Sequence, residues 1–194
     1  MASENAEKVD LSLNTVSDTK PKKEWINLSL RVLSFFATAS ATLIMALNKQ
    51  TKTLVVATIG TTPLTITLTA KFLHTPAFIF FVIVNGIVSL YNLVVIAMDI
   101  LGPHYDYKGL RLGLTAILDV MAMAVAASGD GAATFMAEVG RNGNSHAKWE
   151  KICDKFEAYC NRSGVALATS FLGIILLLVV TVMSITKLSK LNRI

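Results

Sequence analysis

VALATSFLGIILLLVVTVMSI, residues 165–185, is a run of twenty-one residues without one ionisable side chain. A helix rises 1.5 Å per residue, so this run is roughly 31 Å long, which is the thickness of the hydrocarbon core of a bilayer. Three more stretches read the same way. Residues 26–47 and 77–98 each cover a span, the second uncharged up to Met98 and preceded by Pro76. Residues 110–133 make another, most apolar up to Ala127. One such run is compatible with a buried helix of a soluble domain. Four of them in 194 residues leave too little polar surface for that. The expected fold class is all-α, an integral membrane four-helix bundle with cytosolic N and C termini.

Composition agrees. Hydrophobic residues make up 53% of the chain and charged residues 16%, against roughly 25% charged in a soluble protein. The mean hydropathy is +0.56. The net charge of +5 comes from cations scattered over the polar segments. That pattern fits membrane flanks and lacks the basic face interleaved with aromatics that nucleic acid requires, so no nucleic-acid partner is expected.

The polar segments complete the organisation. Residues 1–25 carry charges of both signs and no apolar core, and read as a disordered cytosolic tail rather than a signal peptide. Residues 48–76 form a Thr-rich extracellular loop whose β-branched stretch 58–69 suggests a short strand or a surface-lying segment. Residues 99–109 form a cytosolic loop, 134–164 a second extracellular loop, and 186–194 a basic cytosolic tail. Lys and Arg number nine on the terminal side and eight on the other, with Arg31 set aside. The first span therefore decides: Lys20, Lys22 and Lys23 stand just before it, which puts the termini inside. Cys153 and Cys160 both fall in the second outer loop, on the oxidising side.

Arg31 and Asp119 are the informative pair of charges, each inside a span, where a charge is expensive by roughly 2.5–3.5 kcal/mol or more at the centre. Counted from the cytosolic ends of their helices, Arg31 is roughly 8 Å deep and Asp119 roughly 13 Å. Arginine can snorkel to the headgroups; the short aspartate cannot. A buried Arg31–Asp119 ion pair that sets how the first span packs on the third is the expected outcome. The competing reading of Asp119 is a proton or ion site in a small transporter, channel subunit or transporter regulator. That class relies on broken helices and ionisable groups at the midplane, and the second and fourth spans carry no acidic or basic residue.

Other polar residues read as packing. Asn85, Ser89 and Asn92 share one face of the second span at i, i+4 and i+7. Ala166, Ser170 and Gly173 have the same spacing in the fourth, and Gly109 with Gly113 forms a small pair entering the third. Cys153 and Cys160 would have Cα atoms roughly 10 Å apart in a continuous helix, so an intraloop disulfide requires a bend between Asp154 and Tyr159. Free or intermolecular thiols are the alternative. No nucleophile motif, phosphate loop or metal spacing occurs, so no enzymatic activity, cofactor or metal is expected. The sequons at Asn27 and Asn161 abut spans and are expected to be unused.

Arg31, Asp119, the segment WEKICDKFEAYC at 149–160 with Trp149 and Phe156, and KF at 71–72 leading to PAF at 76–78 occur in an order that resembles the Casparian strip membrane protein family of plants, most closely its Casparian-strip-like subfamily. The resemblance runs from about Trp25 to Leu188. It implies a multi-pass plasma-membrane protein that forms homodimers and heterodimers in contact with membrane lipids. It further implies a scaffold on which extracellular wall-modifying enzymes are organised. Founding members carry a first-loop signature rich in Phe and Pro. Here that loop reads IGTTPLTIT over 59–67, so the scaffold architecture carries over and the Casparian-strip task does not follow.

Overall fold

The computed structural model describes residues 25–101 and 110–191. The expected tail up to residue 24, residues 102–109 of the short connection, and 192–194 lie outside the described residues. Four long helices form the body: α1 (Trp25–Ala46), α2 (Pro76–Leu101), α3 (Leu110–Asn142) and α4 (Glu157–Leu191). Each is long and apolar enough to cross a membrane. The start of α1 meets the end of α2 and the start of α3 through Arg31, Asn92 and Asp119. The end of α1 meets the start of α4 through Asn48 and Tyr159. The helices therefore run alternately up and down.

The radial pattern differs from that of a soluble bundle. On α1 the buried positions are Arg31, Ser34, Ala37, Thr38, Ala41 and Met45, while Leu33, Phe36 and Leu43 are exposed. On α2 Asn85, Ser89 and Asn92 are buried and Ile83, Ile87 and Leu90 point outward. Many large apolar side chains face the surroundings, while polar and small ones lie between the helices together with buried apolar residues such as Met45, Phe81 and Leu177.

Small residues set the helix spacing. A Cβ at Gly173 would stand 2.9 Å from Thr38 Cγ2 and 3.3 Å from Ala37 Cβ. One at Gly129 would stand 2.3 Å from Val84 Cγ2. The first brings α4 against α1 and the second brings α3 against α2. At the close α1–α4 approach, Ser34 Oγ donates to the Gly173 carbonyl at 3.0 Å.

Two features go beyond the expected elements. The first loop is a complete hairpin of β1 (Lys49–Ile59) and β2 (Thr62–Lys71), antiparallel, with an irregularity between Val55 and Ala57. Its turn is Gly60-Thr61, where Gly60 takes φ +65° at no steric cost. The β-branched stretch 58–69, expected to hold a short strand or a surface-lying segment, contains the turn and most of β2, and the preceding Lys49–Ile59 supplies the strand it pairs with. The second loop is correspondingly shorter than 134–164. α3 continues past Ala133 to Asn142 and stops at Gly143, whose φ of +71° closes the helix with a bond from its N–H to the Val139 carbonyl at 2.8 Å. α4 starts at Glu157, eight residues ahead of its apolar run. Apolarity marks where a helix meets lipid and is silent about the turns that extend it.

The connection between α3 and α4 is folded. Asn144 and Trp149 exchange backbone bonds of 2.9 Å, and the N–H groups of Ile152 and Cys153 bond the Gly140 carbonyl. Phe156 is buried with Met45, Phe78, Phe81, Tyr159 and Leu167, while Trp149 remains on the surface.

Candidate functional site

The buried polar interior is the candidate site, and it is built in two layers. In the first, Arg31 of α1 and Asp119 of α3 form a two-pronged ion pair, Nη1 to Oδ1 at 2.8 Å and Nη2 to Oδ2 at 2.6 Å. The arginine is 1% exposed and the aspartate 0%. The planar guanidinium matches both carboxylate oxygens at once, which fixes the orientation of α1 on α3. α2 completes the layer. Tyr91 donates its phenolic proton to Asp119 Oδ1 at 2.6 Å, and Arg31 Nη1 lies 3.5 Å from Asn92 Oδ1. At the end of α2, Asp99 pairs with Arg111 at 2.7 Å, a half-exposed bridge between α2 and α3.

The second layer lies eleven residues further along α3, about 16 Å away. Asp130, fully buried, contacts Ser170 Oγ at 2.7 Å and Asn85 Nδ2 at 3.3 Å. Ser170 Oγ is also 2.7 Å from Asn85 Oδ1. This layer joins α2, α3 and α4. Of the polar face read on α2, Asn92 belongs to the first layer and Asn85 to the second, with Ser89 buried between them.

At the hairpin end the bundle is tied to its loops. Asn48 Nδ2 donates to the Tyr159 carbonyl at 2.8 Å and to Ser163 Oγ at 2.9 Å. Gln50 Oε1 accepts the Tyr159 N–H at 2.8 Å, satisfying a free donor in the first turn of α4. Cys153 and Cys160 form a disulfide with Cα atoms 5.7 Å apart. The chain bends at Lys155 and Phe156 just before α4, which places Cys153 against the first turn that carries Cys160.

Sequence reasoning brought together Arg31 and Asp119, grouped Asn85, Ser89 and Asn92, and paired the two cysteines. It passed over Asp130, Tyr91, Ser34 and Asn48. Asp130 carried a signal: it stands eleven residues, three helical turns, after Asp119, and so shares its face. No group of three or more metal-ligating side chains occurs among the described residues.

The Casparian strip membrane protein domain matches residues 20–176, four-fifths of the chain. The chain belongs to this family. A soybean (Glycine max) protein named CASP-like protein 1B1 is 77% identical over 194 residues, covering all of both chains. The Populus trichocarpa CASP-like protein 1B1 is 57% identical over 188 residues, 97% of this chain and 95% of its own. The Arabidopsis thaliana CASP-like protein 1B2 is 52% identical over 167 residues, 86% and 85% of the two chains. No solved structure matches the chain. For this Casparian strip family member, the polar layers can orient and lock helices; their groups point at one another and not toward lipid.

Proposed function

We propose that this chain is a non-enzymatic, multi-pass plasma-membrane protein with both termini in the cytosol. It associates laterally with copies of itself and with related family members, as homodimers and heterodimers. The assembly is a scaffold on which extracellular wall-modifying enzymes are organised, and its partners are these proteins and membrane lipids, not nucleic acid.

The observation that carries the reading is the hairpin. It is anchored at its base, through Gln50 and the Ala70–Phe72 corner packed on the core. Its two faces differ. Thr51, Thr53, Thr65, Thr67 and Thr69 line one, with hydroxyl contacts of 3.0 Å between Thr51 and Thr69 and 3.3 Å between Thr53 and Thr67. Leu54, Leu64, Ile66 and Leu68 line the other together with Lys52, and Leu64, Ile66 and Leu68 are 52%, 46% and 45% exposed. A largely apolar strand face with free edges, held outside the hydrocarbon, is a surface for contact with another protein. The polar interior supports the same reading: a two-pronged ion pair with a third helix bonded to it makes a stiff unit suited to stacking.

The test is reconstitution of the purified chain in liposomes, with subunit counting by stepwise photobleaching and ion and solute flux measured on the same preparation. Clusters without flux are expected, and Ile66→Lys with Leu68→Lys is expected to disperse them. Flux from dispersed monomers would overturn the proposal.

A further inference from the structure

Asp130 has no role in the scaffold reading, and a count of the protons around it fixes its state. Oxygens 2.7 Å apart are at hydrogen-bonding distance, and each such contact needs one proton between them. Two of these contacts meet at Ser170 Oγ, one to Asp130 Oδ1 and one to Asn85 Oδ1. A serine hydroxyl has a single proton to give, and an amide oxygen has none. With Asp130 ionised, one of the two contacts would set lone pair against lone pair.

Exchanging the oxygen and nitrogen of Asn85 does not cure this. Nδ2 lies 3.2 Å from the Phe81 carbonyl and 3.3 Å from Asp130 Oδ1, so an oxygen in its place would face two acceptors. A metal ion does not cure it either. A hard cation sits about 2.3–2.6 Å from each oxygen ligand and spreads the ligands apart, whereas these oxygens are in hydrogen-bonding contact. A proton on Asp130 Oδ1 satisfies every contact together. Asp130 then donates to Ser170, Ser170 donates to Asn85 Oδ1, and Asn85 Nδ2 donates to the Phe81 carbonyl. The other carboxyl oxygen, Oδ2, has no hydrogen-bond partner, which a neutral carbonyl tolerates far better than an ionised oxygen does.

The charges around the layer point the same way. Arg31 of α1 and Tyr91 of α2 are both bound to Asp119. Asp99 of α2 is bound to Arg111 of α3, and Glu138 and Arg141 lie two to three turns further along α3. On α4 the ionisable residues Glu157, Tyr159 and Arg162 precede the apolar run and Lys187 and Lys190 follow it. The hydrogen-bonding neighbours of Asp130 are an amide and a hydroxyl.

We infer that Asp130 is a proton-binding site: the assembled bundle holds it as a neutral carboxylic acid whose proton ties α3 to α4 and, through Ser170, α4 to α2. The proton is taken up from water as the helices assemble.

The test is infrared spectroscopy of the full chain in lipid bilayers at neutral pH, with carboxyl-labelled aspartate. A neutral carboxylic-acid carbonyl band is expected in the wild type and in Asp119→Asn, lost in Asp130→Asn, and shifted in Ser170→Ala, which removes its acceptor. Absence of the band from the wild type, or its survival in Asp130→Asn, overturns the inference. Thermal unfolding gives a second reading. An amide at 130 donates to Ser170 as the acid does, so Asp130→Asn keeps the wild-type melting temperature. A fall as large as that of Asp119→Asn would mean that a charge was required there, and would overturn it as well.

Discussion

Removing one partner of the Arg31–Asp119 pair isolates the other, and the structure sets how much that costs. Asp119→Asn leaves a guanidinium that is 1% exposed with one amide oxygen in place of two carboxylate oxygens. It also turns the Tyr91 contact of 2.6 Å from a charge-assisted bond into an ordinary one. Stranding one member of a buried pair costs about 3–5 kcal/mol. At roughly 2–4 °C per kcal/mol for a chain of this size, the melting temperature should fall by about 6–20 °C. The two single changes are not equivalent. Arg31 is six residues into α1, about 9 Å from its start, and its long side chain can reach the headgroups when released. Asp119 is nine residues into α3 with a short side chain, so Arg31→Gln should cost more than Asp119→Asn. Replacing both, as Arg31→Met with Asp119→Leu, removes the stranded charge and should restore most of the loss, because an apolar pair avoids the desolvation of two ions. The assay is thermal unfolding in nanodiscs, with the wild type, Arg31→Met, Asp119→Leu and the variant carrying both forming a double-mutant cycle. If Asp119→Asn melts within a degree or two of the wild type, or if the double variant loses the sum of the two singles, the reasoning is refuted.

Three further outcomes can be measured in the same assay. Gly129→Ala puts a Cβ 2.3 Å from Val84 Cγ2 and should cost about 1–3 kcal/mol, recovered by Val84→Ala, while Gly131→Ala, with nothing within 4 Å, should be neutral or slightly stabilising. Replacing Cys153 and Cys160 by Ser opens a short loop whose closure is worth roughly 2–3 kcal/mol, and reductant should lower the wild type by the same amount while leaving the variant unmoved. Phe156→Ala empties a site in the core and should cost about 3–5 kcal/mol, whereas Trp149→Ala, at an exposed position, should stay within about 0.5 kcal/mol.

Four helices were legible because a short chain has little use for so many long apolar runs except to cross a bilayer. The ion pair was legible because a charge in such a run needs a partner, and Arg31 and Asp119 have opposite signs at similar depths. Asp130 escaped the same logic. Its neighbours Ser128, Gly129 and Gly131 weaken the apolar signal beyond Ala127, while α3 in fact continues twelve residues past it. Its partners are neutral, and neutral partners leave no mark in a count of charges. Tyr91 was hidden in another way: a tyrosine in a span reads as a surface anchor, and only the rotation of α2 set by Asn85 and Asn92 turns its hydroxyl to Asp119. The hairpin was half visible. The β-branched stretch 58–69 suggested a short strand or a surface-lying segment, but pairing depends on the preceding Lys49–Ile59 meeting it in register, which composition does not encode.

The two layers account for the amides and the phenol that α2 carries where α1 and α3 carry charges. An ion pair needs one residue of each sign, and α1 and α3 supply them. A third charge in that layer would be unpaired. α2 must still touch both layers, because it packs between α1 and α3, with Gly86 near Thr42 and Val84 against Gly129. Groups that both donate and accept without charge are the ones that can bond to Arg31 and Asp119 on one side and to Asp130 on the other. With Asp130 neutral, the described interior sums to zero charge, one cation against one anion, and the bundle meets lipid with no counter-ion to carry. A charge introduced on the α2 face at Asn85 or Asn92 would break that balance in one layer and misalign the other, since both hang on the same helical face.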